Sequence, residues 1–328
     1  MCVITNKRAR ALGHPTRMAT RVASHAARPT ISHPARARPG ASPVRRGGST
    51  PAPRATPVGG HLGHRDDRPY DVMVFDLDGV LYAANNGYME HVRQNARRFI
   101  RDRYGVSDEE AGEIRAKAFE LANQTVRGLR MLGYEVDQAD FMDYCRSGEE
   151  LYLREDAQVV EAVRALSERY GASGGGCGNR AVGRSNPTSA CVVFTNTAEK
   201  RARLALRCLG LDGAFDAVYG ADFMGAETSK PSPEAFELVL THLGVTDARR
   251  AVMFEDSFKN LRAAKAAGMS TVFVKGETAT REGVAFDDDE CGVWDVADAV
   301  IDALTLRELR RAMPALLADR PDGQSPSR

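Results

Sequence analysis

The sequence predicts an α/β protein: a doubly wound, Rossmann-like parallel sheet with an all-helical cap inserted after the first strand. Three observations carry this. Short unbroken apolar runs, VMVF at 72–75, ACVVF at 190–194, AVMF at 251–254 and TVFV at 271–274, have the composition of strands covered on both faces. From residue 190 onward such runs alternate with helical periods, the pattern of a parallel sheet with crossover helices. Between the first two runs only helical periods occur, over about 84–165.

In chain order, the first strand ends in DLDG, where Asp76 and Asp78 are separated by one residue and followed by Gly79. Ligands of open α/β sheets bind beyond the carboxyl ends of strands, so carboxylates here are placed for chemistry, and the glycine lets the chain turn away. In MEHVRQNARRFIRDRYG, Met89, Val92, Ala96, Phe99 and Ile100 share one helical face and Gly105 ends it. A second helix starts at Ser107, with Glu110 placed for a capping box, and directs Ala111, Ile114, Ala118 and Leu121 inward. Helical patterns recur at about 138–146 and 156–169, completing the cap. Residues 171–189 are rich in Gly, Ser and Asn without period, and read as a flexible loop.

The second strand ends in Thr195 and Asn196, and Thr197 is a candidate cap for the helix that stops before Gly210. A weaker strand at 217–219 leads to SKPSPEAF, where Ser232 is a good N-cap and Pro233 a good first helical residue. Lys230 then precedes a helix N-terminus, a poor match to the helix dipole unless an anion lies between them. That makes it a candidate phosphate contact, with a solvated lysine as the plain alternative. The fourth strand ends in the paired acids Glu255 and Asp256 before a helix closed by Gly268, and a fifth strand follows. The tail from 313 to 328 is polar and reads as disordered.

Charge divides the chain. Of its 45 Lys and Arg, 11 lie in residues 1–64, which hold no Asp or Glu; 34 basic against 44 acidic residues remain in 65–328, a net of −10. An acidic body disfavours nucleic-acid binding, which rests on phosphate neutralisation. The leader, residues 1–68, is rich in Arg, Ala, Pro, Ser and Thr without period, the composition of a disordered transit peptide, addressed to a plastid rather than a mitochondrion. A basic arm with no address, on a cytoplasmic protein, is the alternative. No early stretch is apolar enough for a membrane span. The six cysteines show no metal spacing and read as reduced, structural thiols. His91 and His242 fall on helical patterns and read as satisfied or solvated. The sequence gives no reading of oligomeric state.

Taken together, DLDGV, a strand ending in Thr195, the SKP around Lys230 and the FEDS of 254–257 resemble, in this order, the four motifs of the haloacid dehalogenase-like hydrolase superfamily. The resemblance covers about residues 70–305, inside a domain bounded at 69–312, and the helical insertion is similar to that family's C1 cap. A narrower resemblance, to its pyrimidine 5′-nucleotidase-like branch, rests on the LY at 81–82, TVRGLRMLGYEVD at 125–137, FTN and KPSPEAFE. The chain departs from that branch in carrying Gly79 and Val80 where a second Asp and a Thr are usual.

The resemblance implies a Mg²⁺-dependent phosphatase acting on a small phosphorylated metabolite, a nucleoside 5′-monophosphate. It implies Asp76 as the nucleophile that forms an aspartyl-phosphate and Asp78 as the acid that protonates the leaving oxygen and later accepts a proton from water. Mg²⁺ would be held by Asp76, Asp256 and the backbone carbonyl of Asp78, with Glu255 acting through a metal-bound water. Thr195 and Asn196 would contact phosphoryl oxygens, Lys230 would offset their charge, Gly79 would adjoin the substrate, and Thr125 in the cap would meet it. Arg127 and Arg130 are placed either to meet a nucleotide or to solvate a helix face. A related sugar phosphomutase or another small-metabolite phosphatase of the superfamily and, in a different class, a non-catalytic binding protein are the alternatives. The dianionic charge of a phosphate monoester gives the chemical reason for such a set: an anionic nucleophile needs that charge neutralised, and hard oxygen ligands holding Mg²⁺ achieve this.

Overall fold

The computed structural model describes residues 69–172, 189–282 and 292–318. The expectations for the leader at 1–68, most of the loop at 171–189 and the last ten residues lie outside the described residues.

Six strands, β1 (Val72–Phe75), β2 (Ala190–Phe194), β3 (Ala217–Tyr219), β4 (Ala251–Glu255), β5 (Ser270–Val274) and β6 (Ala299–Ile301), form one parallel sheet in the order β3-β2-β1-β4-β5-β6. The first strand of the chain is thus central. Between β1 and β2 lie α1 (Tyr88–Tyr104), α2 (Asp108–Ala122), α3 (Thr125–Met131), α4 (Gln138–Arg146), α5 (Glu149–Tyr152) and α6 (Ala157–Tyr170). After β2 come α7 (Glu199–Cys208), then, past β3, α8 (Ala221–Met224) and α9 (Pro233–His242). The helices α10 (Phe258–Ala266), α11 (Glu277–Arg281), α12 (Val293–Val296), α13 (Leu306–Ala312) and α14 (Pro314–Leu317) complete the chain.

The period-2 geometry of β1 decides the layers. Met73 and Phe75 point into a core shared with Val163, Leu166 and Tyr170 of α6, Leu206 of α7 and Leu309 of α13. Val72 and Val74 point the other way, onto Phe236 and Val239 of α9 and Ala264 of α10. Every residue of β1, β2 and β4 is buried, which is why these strands read as continuous apolar runs. The fold class read from the sequence is the one observed.

The helices α1 to α4 have a core of their own, built from Ile100, Ala111, Ala118, Val126, Leu129, Phe141 and Met142. In the α2–α3 crossing Gly128 is required: a Cβ there would lie 1.8 Å from the carbonyl oxygen of Ala118. Ser107 caps α2 as its sequence foretells, accepting from the Glu110 amide at 3.1 Å.

Three expectations are corrected. The helical pattern at 156–169 belongs to the sheet rather than to the cap, since α6 buries its apolar face on β1 and β2, so the cap proper ends near Tyr152. The tail is packed as far as α14: Leu316 is fully buried and its carbonyl accepts from Tyr170 Oη at 3.2 Å. Thr197 does not cap α7, whose N-cap is Ala198.

Candidate active site

Register brings the acids together. Phe75 pairs with Val193 on one side and Phe254 on the other, so Asp76 leaves β1 directly beside Glu255 and level with the end of β2. The Asp76 amide still donates to the Phe254 carbonyl at 2.9 Å, which fixes its backbone before the chain turns. Asp76, Glu255 and Asp256 are all buried, a costly arrangement for three carboxylates unless cations share the site.

Lys230 is one such cation. Although 99% of its surface is covered, its Nζ lies 2.9 Å from Asp76 Oδ1 and 2.8 Å from Glu255 Oε2. Burial alone would lower its pKa, but the two carboxylates outweigh this and hold it raised, so the ammonium is retained. The other Glu255 oxygen accepts the Asp256 and Ser257 amides, each at 3.2 Å, so Glu255 is committed to positioning Lys230 and the turn after β4. The Asp76 carboxyl is pushed up to about 8, by burial first and the Glu255 charge second, against the pull of Lys230.

Asn196 behaves differently from expectation. Its side chain clamps the Lys230 backbone, with Oδ1 accepting from the Lys230 amide at 2.9 Å and Nδ2 donating to the Lys230 carbonyl at 2.9 Å. Its amide thereby orients the lysine, and the motif reading missed that a strand-end Asn can satisfy a neighbouring loop instead of a ligand. Thr195 is buried at the same level, its Oγ1 accepting from the Thr197 amide at 3.1 Å.

Asp78 is tied to the cap by an arginine the sequence reading did not single out. Arg146, the last residue of α4, donates from Nη1 to Oδ1 at 3.0 Å and from Nη2 to Oδ2 at 2.5 Å. Tyr82 Oη also donates to Oδ1, and Thr197 Oγ1 to Oδ2 at 3.2 Å. Burial works to raise the Asp78 pKa, but the Arg146 charge and the hydrogen bonds from Arg146, Tyr82 and Thr197 more than reverse it, leaving a carboxylate. Tyr88 Oη in turn donates to the Arg146 carbonyl at 2.7 Å, joining the start of α1 to the end of α4. Nothing in the local string DYCRSGEE marks Arg146, because its partner lies far away in sequence. Tyr82 was legible in principle, four residues after Asp78 within one turn.

The donor set fits a hard divalent cation. Asp76, Glu255 and Asp256 each offer a carboxylate oxygen, all within 4.8 Å of one another, and among the described residues this is the group with that geometry. Asp256 Oδ2 also accepts from Thr278 Oγ1 at 2.5 Å. Gly79, with φ +88°, passes so close to this group that a Cβ would lie 1.9 Å from Asp256 Oδ2. Its role is therefore to let the DLDG turn lie against the acids. With both Glu255 oxygens taken by Lys230 and amides, Asp76 and Asp256, each with one oxygen already engaged, by Lys230 and Thr278 respectively, keep a second oxygen with which to hold a divalent cation.

These groups open into a cavity of about 430 Å³ between sheet and cap, which Thr125 also lines. Part of its cap wall is apolar, formed by Met89, Val92, Phe119, Phe141 and Met142. Arg127 and Arg130 are not among its lining: Arg127 Nη1 donates to Ser229 Oγ at 3.5 Å and Arg130 Nε to the Val136 carbonyl at 3.2 Å. His91 is satisfied, as expected: its Nε2 donates to the Ser147 carbonyl at 2.9 Å and its Nδ1 accepts from Tyr152 Oη at 3.3 Å. Cap and core meet again where Gln124 Nε2 donates to the Asn196 carbonyl at 3.3 Å. Among the described residues no helix is long and apolar enough to cross a membrane.

Comparison with known proteins gives a consistent picture. A family model described as haloacid dehalogenase-like hydrolase matches residues 70–268. A phosphorylated carbohydrates phosphatase of Thermotoga maritima is 25% identical over 211 residues, covering 62% of this chain and 84% of the relative. Phosphate metabolism protein 8 of Saccharomyces cerevisiae is 22% identical, covering 61% of this chain and 60% of the relative. The fructose-1-phosphate phosphatase of Escherichia coli is 39% identical over 83 residues, 25% of this chain and 43% of the relative. The chain thus spans less than two thirds of the length of the last two. Among solved structures, a HAD phosphatase from Thermococcus onnurineus aligns over 74% of this chain and 96% of its own, at 19% identity and a TM-score of 0.48.

Proposed function

The chain belongs to the haloacid dehalogenase-like hydrolases, and from that membership we propose that it is a Mg²⁺-dependent phosphomonoesterase of small phosphorylated metabolites, working through an aspartyl-phosphate. The observation that carries this is the buried Asp76–Lys230–Glu255 chain at the end of the central strand, opening into a cavity that also presents Asp78 and Asp256. We take the substrate to be a nucleoside 5′-monophosphate, pyrimidine preferred. The apolar cap wall with Phe119 and Phe141 supports this, since a nucleoside gains stacking contacts there that a sugar lacks. Two of the relatives, a phosphorylated carbohydrates phosphatase and a fructose-1-phosphate phosphatase, favour a sugar phosphate as the alternative.

Mg²⁺ held by Asp76 and Asp256 would neutralise phosphoryl charge and orient the group for attack. Asp76, which burial keeps protonated at rest, must first give up its proton, and Asp78, ionised at rest, must first take one up; an Asp76 carboxylate oxygen then bonds to phosphorus as the ester P–O bond breaks, and the proton on Asp78 passes to the leaving oxygen. In the second half Asp78 takes a proton from water, which attacks the phosphorus and releases Asp76. The ionised, hydrogen-bonded Asp78 is in the form this second step requires. Lys230 offsets developing phosphoryl charge while holding Asp76 in place, and Thr195 is placed to donate to a phosphoryl oxygen. The composition of residues 1–64 supports an organellar, plastid address for this activity.

Phosphate release from UMP, CMP and hexose phosphates, with Mg²⁺ and with EDTA, tests the reading. Release is expected from the nucleotides with Mg²⁺ only, without a bisphosphate activator, and Asp76→Asn should abolish it while the melting temperature stays equal or rises as repulsion among the acids falls. Near wild-type release by Asp76→Asn would remove Asp76 as nucleophile. Conversion of hexose 1-phosphate to hexose 6-phosphate with the nucleotides intact would establish a mutase instead.

A further inference from the structure

The same cavity is lined by a second set of charges that hydrolysis of a simple monoester does not use. Arg93 on α1 and Arg115 on α2 reach it from the cap, and Lys259 on α10 and Arg281 from α11 reach it from the sheet side. The one acid among them, Glu282, is already occupied: Oε1 accepts from Ser257 Oγ at 2.6 Å and Oε2 from the Phe258 amide at 2.8 Å. Arg93 and Arg281 have partners within their own helices, Glu90 at 2.8 Å and Glu277 at 2.7 Å. Arg115 and Lys259 form no hydrogen bond or ion pair through their side chains with any described residue. Arg115 is half-buried, and burial, then the charge of Arg93, lowers its pKa. Glu90 neutralises Arg93 and pulls weakly the other way on Arg115, but Arg115 has no direct partner among the described residues beside the apolar wall, a cost that a further anion would offset.

We propose that this cationic mouth binds a second anionic group of the substrate, so that the preferred substrate is a phosphate monoester carrying a carboxylate or a further phosphate at its far end. This rests on the phosphatase reading and narrows its substrate class. Arg115 is the principal contact, because its fork of donors is uncommitted and matches a planar or tetrahedral oxyanion. A group held by Arg115 from the cap and Lys259 from the sheet side also bridges the two, and so favours the closed cap that excludes water from the acids.

Matched pairs that differ by one anionic group test this on the full chain: UMP against orotidine 5′-monophosphate and glucose 6-phosphate against 6-phosphogluconate for a carboxylate, and glucose 1-phosphate against glucose 1,6-bisphosphate for a phosphate. The doubly anionic member of at least one pair is expected to show a kcat/KM roughly tenfold higher or more, mostly through KM. Arg115→Gln should bring that ratio close to one, and Arg115→Lys should restore part of it. The arm that responds identifies carboxylate or phosphate. Parity in all pairs for the wild type, or an equal loss on both members in Arg115→Gln, overturns the inference. If none of the pairs is hydrolysed the phosphatase reading falls, and affinities of the same pairs for the Asp76→Asn protein decide the inference: parity overturns it, preference for the doubly anionic member sustains it.

Discussion

Replacing Arg146 by methionine isolates the contribution of the cap to the site. Both partners of its ion pair are largely buried, with side chains 10% and 17% exposed. Methionine keeps much of the volume but leaves Asp78 with only the Tyr82 and Thr197 hydroxyls. Removing one member of a buried, bidentate pair costs about 3–5 kcal/mol, because the remaining charge is left without compensation. In a domain of this size each kcal/mol shifts the melting temperature by about 2–4 °C, so a fall of roughly 6–20 °C is expected at pH 7. The pH dependence has a definite sign. Asp78 has a folded pKa below its unfolded value, so its stabilisation is full above the unfolded pKa, near 3.8, and is lost as pH falls through the folded pKa. The gap between wild type and Arg146→Met should therefore be widest at neutral pH and close below about pH 4. Adding Asp78→Asn should recover most of the loss, and chemical denaturation of the four proteins yields the coupling energy. A destabilisation under about 1 kcal/mol at pH 7 would place the pair in the range of solvent-screened surface bridges and refute the reasoning.

Two further outcomes are expected. Gly79→Ala combines a positive φ, costing about 1–2 kcal/mol in an L residue, with a Cβ at 1.9 Å from Asp256 Oδ2. It should weaken Mg²⁺ dependence and activity far more than it lowers the melting temperature, and an unchanged Mg²⁺ titration would contradict this. The raised Asp76 pKa of about 8 means that the folded protein holds a proton the unfolded chain has lost. In EDTA, stability should thus decline as pH rises through that value, and Mg²⁺ affinity, measured calorimetrically, should increase over the same range with proton release.

Much of this architecture was legible because burial on both faces writes itself into composition. The runs at β1, β2, β4 and β5 are largely continuous and apolar, and polar residues mark where they stop: Asp76, Thr195, the Glu255–Asp256 pair and Lys275. Strand β6 escaped because it has three residues flanked by Asp298 and Asp302. Helical periodicity shows that 157–170 has an apolar face but not what the face meets, which is how α6 came to be assigned to the cap. Site residues attached to strand ends were readable for the same reason as the strands. Arg146, Asn196 as a clamp, and Thr197 as a partner of Asp78 were not, because each acts through a contact more than thirty residues away or in place of a familiar local role.

The central place of β1 has a bearing on how the protein is made. Val72 takes its two neighbours from Ala190 and Ala251, so the first strand to leave the ribosome waits for most of the chain before either edge is paired. The intervening cap helices rest on contacts close in sequence and can form early, whereas the sheet closes only through long loops, the slow class of topology. Until β4 arrives, the strand carrying Asp76 is an unpaired apolar edge of the kind that chaperones shield. The carboxylates of Asp76, Glu255 and Asp256 therefore come together only once β4 has been made, long after the helices between β1 and β2.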